Sequence, residues 1–157
     1  MLGASEKSAS YLIEEKDPRG YVEGKGPSIA HGADMLASAI SHPSFRLERA
    51  EQFLTAIGEC LLHKDAIYID GEDERLLYIV QELIKKDLPE EQLSTWVGSL
   101  ISFIDEKEKE GYSLESFYLR KNVSNFLKAL YFRLYYLKMG SEVQRNIEEF
   151  LHKGIYA

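Results

Sequence analysis

Ser28-Ile-Ala-His-Gly-Ala-Asp-Met-Leu-Ala-Ser-Ala-Ile-Ser41 is the stretch on which the reading of this 157-residue chain turns. At about 100° per residue, Ile29, Ala33, Leu36, Ala37 and Ile40 fall on one face, while His31, Asp34 and Ser38 gather opposite. The spacing predicts a helix that Ser28 can cap and Pro43 stops. Gly32, among Ala30, Ala33, Ala37 and Ala39, reads as permission for close helix approach. A glycine inside a helix costs about 1 kcal/mol against alanine and needs a reason. Just upstream, Gly20, Gly24, Gly26 and Pro27 make residues 19–28 a loop. Before that, Tyr11, Leu12 and Ile13 permit a short helix ended by Pro18.

Downstream the same period recurs. Leu47, Ala50, Leu54, Ile57 and Leu61 form one apolar stripe, with Glu48, Glu51, Gln52, Thr55 and Glu59 opposite. Residues 65–71 break the pattern, and Asp70 can cap a helix whose core face is Leu76, Val80, Leu83 and Ile84. Glu72 and Asp73 suit the positive end of that helix. Pro89 occupies a first-turn position before the stripe Leu93, Trp96, Val97, Leu100, Ile101 and Ile104, closed at Gly111. Ser113 caps a long or broken helix with Leu119, Val123, Phe126, Leu130, Leu134 and Leu137 inside, ending at Gly140. Ser141 begins the last helix, with Val143, Ile147 and Phe150 or Leu151 as its apolar face and Gly154 as its end. No segment alternates with period two between hairpin turns, so the expected class is all-α.

Helices opening near Ser28, Glu72 and Ser113 recur about every 41 to 44 residues, each followed by a second helix. Two-helix units of that length describe HEAT-type repeats, which stack because one hairpin cannot bury its apolar face alone. The expected architecture is therefore six to seven helices in antiparallel pairs forming an α-α superhelix, within a single helical domain over residues 1–157. A globular orthogonal bundle is the alternative.

Composition narrows the function. A net charge of −7 disfavours nucleic acid and anionic membranes, whose fields have the same sign. The single cysteine, Cys60, can make no internal disulfide, no Cys-x-x-Cys pair is present, and no apolar run is long enough for a membrane span. A reducing cytoplasm is the expected compartment, and no cofactor is expected. His31 and Asp34 stand one turn apart, but two ligands fall short of the three or four that zinc takes. His42 lies roughly 16 Å further along the helix, so it cannot share a metal with them. No metal and no catalytic residue is assigned. No Gly-x-Ser-x-Gly elbow activates a serine, Gly24-Lys25-Gly26 lacks the ending of a phosphate loop, and Cys60 belongs on the edge of an apolar face.

If the repeats stack, Glu72, Asp73 and Arg75 lie near His31 and Asp34. Arg75 can then pair with Asp34, and Arg19 can cross to Glu72 or Asp73, locking one repeat to the next. An acidic pocket for a cation or basic ligand is the functional alternative for Arg19, His31, Asp34, Glu72, Asp73 and Arg75. A second line, Tyr118, Asn125, Phe132 and Tyr136, makes the long helix apolar on two sides. Burial under the final helix is one account, and an aromatic partner surface at Tyr118, Phe132 and Tyr136 is the other.

Arg19-Gly20-Tyr21-Val22, Lys25-Gly26, Ala30-His31-Gly32-Ala33-Asp34-Met35-Leu36 and Gly71-Glu72-Asp73-Glu74-Arg75-Leu76 together make the chain similar to the bacterial family named domain of unknown function 2785. The resemblance implies a bacterial, cytoplasmic, HEAT-like protein, and it brings no activity, cofactor or catalytic residue. The family tends to carry a Trp-x-His segment where Gly26 here runs directly into Pro27-Ser28, and its members are longer at the N-terminus. The expected function is a non-enzymatic helical-repeat module that binds a protein or peptide on a groove of its second helices. A small-molecule or metal-dependent enzyme built on His31, Asp34, Glu72 and Asp73 is the alternative.

Overall fold

Leu36, Ile40, Phe53, Ile57, Leu76, Leu83, Val97, Phe126, Leu130 and Ile147 are all 0% exposed, so each periodic stripe from Ser28 onward contributes to one core. The computed structural model describes residues 28–69 and 71–156. Among the described residues the chain is all-α and holds no strand. The helices are α1 (Ser28–Ser41), α2 (Ala50–Leu61), α3 (Glu72–Lys85), α4 (Glu90–Lys109), α5 (Leu114–Leu137) and α6 (Ser141–Tyr156). None of them is long and apolar enough to cross a membrane. The short N-terminal helix, the 19–27 loop, Arg19 and the Asp70 cap lie outside the described residues.

α1 packs on α3 and α3 on α5, so the first helices of successive pairs form one row. α4 packs on α6, and Gly58 of α2 faces Trp96 and Leu100 of α4, so the second helices form another. Between the rows, α2 meets α3 and α5, α4 meets α5, and α5 meets α6. Trp96 stands edge-on to the buried Phe126 ring at 5.7 Å, an arrangement that aromatic quadrupoles favour, and this joins α4 to α5.

The helix ends follow local chemistry with three differences from the sequence reading. Leu47–Arg49 is a 3-10 turn leading into α2 rather than part of the α-helix. Pro89 is the residue before α4, with ψ 134° keeping it extended. Gly154 does not end α6, which continues to Tyr156, and its missing side chain makes room for Arg120. Ser113 does cap α5: its Oγ accepts from Ser116 N at 3.0 Å, while Ser116 Oγ accepts from Ser113 N at 2.9 Å. Gly71 enters α3 with φ 81°, a left-handed conformation that any Cβ would strain. At the far end of α5, Lys138 turns left-handed and Met139 N–H bonds Leu134 O at 3.2 Å, stopping the helix before Gly140.

Candidate functional site

The seam between α1 and α3 is joined by polar side chains at two levels. Arg75 Nη1 lies 2.5 Å from Asp34 Oδ2, with both side chains about half exposed. Two turns further along α1, Ser41 Oγ donates to Glu82 Oε2 at 2.7 Å. Both pairs are separated by 41 residues, so the two helices run parallel in a single register. Glu82 is buried and also accepts from Lys85 Nζ at 2.6 Å. Burial alone would raise its carboxyl pKa, but the hydrogen bonds from Lys85 and Ser41, with the charges of Lys85 and Lys86, outweigh burial and hold it below the ordinary value. Lys86 Nζ reaches Ser41 O at 3.3 Å and His42 O at 3.4 Å, placing a cation on the negative end of α1.

A groove of about 660 Å³ opens over this seam. Asp34 of α1, Glu74, Arg75, Leu77, Tyr78 and Gln81 of α3, and Ala129, Phe132, Arg133 and Tyr136 of α5 line it. Two groups of sequence candidates therefore meet at one place, the Asp34/Arg75 pair and the aromatics Phe132 and Tyr136. Phe132 is 56% exposed and Tyr136 76%, so neither is covered by α6. Tyr118 does not join them: it sits fourteen residues before Phe132 on α5, roughly 21 Å along the axis, and its ring contacts Phe117. Every one of the groove helices is the first of its pair. The second helices, where a groove was expected, contribute nothing to this one, because α5 turns its second apolar line outward beside α3. Of the other candidates, Glu72 is buried and Asp73 half-buried, and neither lines the groove. Arg19 and the His31 side chain lie outside the described residues.

The polar centre that sequence reasoning missed is Asn122, 0% exposed on α5. Its Oδ1 accepts from Tyr68 N at 2.9 Å, and its Nδ2 donates to Ala66 O at 2.9 Å and His63 O at 3.2 Å. One amide thus satisfies three backbone groups of the loop between α2 and α3, groups that burial would otherwise leave unpaired. Tyr68 is pulled inward beside it and donates its hydroxyl to Cys60 O, while its ring stacks on His63 at 6.1 Å. Burial, then the neighbouring Cys60 and Glu72, raise the Tyr68 pKa. Burial and the charge of Glu59 push the Cys60 thiol up to about 12, so it is neutral at pH 7 and is no nucleophile. The only advance signal was an asparagine inside an otherwise apolar stripe.

A second such junction joins α4, α5 and α6. Arg120 Nη1 bonds Glu108 Oε1 at 2.6 Å, and its guanidinium lies 4.7 Å from the centre of the Phe150 ring. A Cβ on Gly154 would come within 1.5 Å of Arg120 Nη2.

Chemically, the groove offers charged and aromatic contacts. Among the described residues, no three of His, Cys, Asp and Glu are grouped to hold a metal ion. A family model with the description "Protein of unknown function (DUF2785)" matches residues 3–132, most of the chain. No curated protein and no solved structure matches it.

Proposed function

We propose, for a chain that belongs to the family described as a protein of unknown function (DUF2785), a non-enzymatic helical-repeat module that binds a protein or peptide. The observation that carries this reading is the convergence of the Asp34/Arg75 pair with exposed Phe132 and Tyr136 on one open groove. Large aromatics left half or more exposed beside a charged pair are the composition of a recognition surface rather than of a core. A HEAT-like superhelix is the architecture that goes with it, supported by the 41-residue offset of both α1–α3 pairs. The setting expected from the sequence is a bacterial cytoplasm.

The enzyme reading needs Asp34, Glu72 and Asp73 to open on one pocket with His31. The groove at Asp34 is lined by Glu74 and Arg75 in place of Glu72 and Asp73. Photocrosslinking tests the binding reading. A photoreactive residue at Tyr136 should trap one specific protein or peptide, and Phe132→Ala should abolish the product. The same product from a probe at the exposed Tyr112, outside the groove lining, would remove the groove from the account.

A further inference from the structure

Among the described residues, two charged groups of the groove have no ion-pair partner. Asp34 and Arg75 satisfy each other, and nearby Glu82 is held by Ser41 and Lys85. Glu74 and Arg133 line the same groove and make no ion pair among the described residues. They stand on different helices. Glu74 is in the first turn of α3, whereas Arg133 is on α5, between Ala129 and Tyr136 of the same lining. The exposed rings of Tyr78, Phe132 and Tyr136 line the groove with them.

Resting on the binding reading above, we infer that the occupant is an extended peptide segment with a lysine or arginine and an aspartate or glutamate four residues apart, flanking a central apolar or aromatic residue. The spacing follows from strand geometry. Side chains two apart face the same way, so the residues two before and two after the central one face the groove together with it. The central side chain meets the ring cluster, the basic residue meets Glu74 and the acidic one meets Arg133. The rings supply most of the affinity, and the two charges select the sequence and fix its direction. A phosphate backbone suits the site poorly, since it would run past Glu74 and Asp34 on a chain of net charge −7.

The test uses the full chain and fluorescein-labelled nine-residue peptides read by anisotropy. One carries Lys-Thr-Phe-Thr-Glu at its centre, and three others replace the Lys and Glu together by Gln, by Lys alone or by Glu alone. The mixed peptide should bind about tenfold more tightly than the Gln peptide, an advantage that high salt erodes. Arg133→Glu, an exposed change that leaves the core intact, should move the preference to the doubly basic peptide. Equal binding of all four peptides, abolished by Phe132→Ala, would overturn the charge rule and leave the groove reading standing. Binding of none of them at millimolar concentration would overturn both. A concentration-dependent dimer that Arg133→Glu dissociates would also overturn the inference, because the occupant would then be a second copy of the chain.

Discussion

Asn122 and the Asp34/Arg75 pair each connect one part of the chain to a distant one, across 54 and 41 residues. They do so under opposite conditions. Asn122 is uncharged, fully buried and hydrogen-bonded to three backbone groups, so water cannot take its place. Asp34 and Arg75 are charged and half exposed, so water competes for both. The net value of a polar link depends on what its partners would do without it, and less on its formal charge. The buried neutral amide should therefore hold the fold, and the conspicuous ion pair should mainly set register and shape the groove.

The sharpest way to break that comparison is Asn122→Leu, which keeps the volume and removes every hydrogen bond. Loss of about 3 kcal/mol is expected in urea unfolding, with the loop between α2 and α3 gaining hydrogen-exchange lability first. A change below about 1 kcal/mol would mean that the loop is held by Tyr68 packing alone.

Arg120 sits between the extremes, with a side chain 20% exposed. Arg120→Ala should cost about 2 kcal/mol through the lost Glu108 and Phe150 contacts. Gly154→Ala should destabilise as well, although alanine is ordinarily the better helix residue. In the Arg120→Ala background the same Gly154→Ala change should turn stabilising, and a double-mutant cycle would read that reversal directly.

Glu82 tests the buried end of the α1–α3 seam. Its folded pKa lies below the ordinary value, so its contribution is complete above the unfolded pKa and is lost as pH falls through the folded one. Glu82→Gln should therefore cost about 1 kcal/mol at pH 7, with the gap from the parent chain closing as pH falls below the ordinary glutamate range. A gap that stays constant on acidification would show that the carboxylate charge is irrelevant.

The smallest effect belongs to the most visible pair. Asp34→Ala should change stability by about 0.5 kcal/mol, within the range of exposed ion pairs, and less in high salt. A loss of several kcal/mol would invert the comparison.

How much of this was legible follows from the same physics. Burial leaves a periodic trace, so the stripes through Leu36, Ile57, Leu83, Leu100, Leu130 and Ile147 were readable and the all-α class with them. Pairing of Asp34 with Arg75 could be anticipated because both lie in the first half of helices that recur at a fixed spacing. Asn122, Tyr68 and Arg120 could not, since the role of each depends on contacts from elements distant in the chain: a loop, a backbone carbonyl, and a glycine with a ring on α6. Gly154 shows the same limit in reverse. Local rules read it as a stop, whereas tertiary contact uses it as a space. Phe132 and Tyr136 were legible as a second apolar line, but which neighbour that line faced was a matter of how α5 lies beside α3.

The shared offset of the Asp34/Arg75 and Ser41/Glu82 pairs also has a mechanical side. A force that slides α1 along α3 strains both pairs together and must break them at once. A force that hinges the helices apart from one end meets them in turn. The two pairs thus oppose sliding together, while the apolar packing of Leu36, Ile40, Leu76 and Leu83 beneath them is what resists hinging.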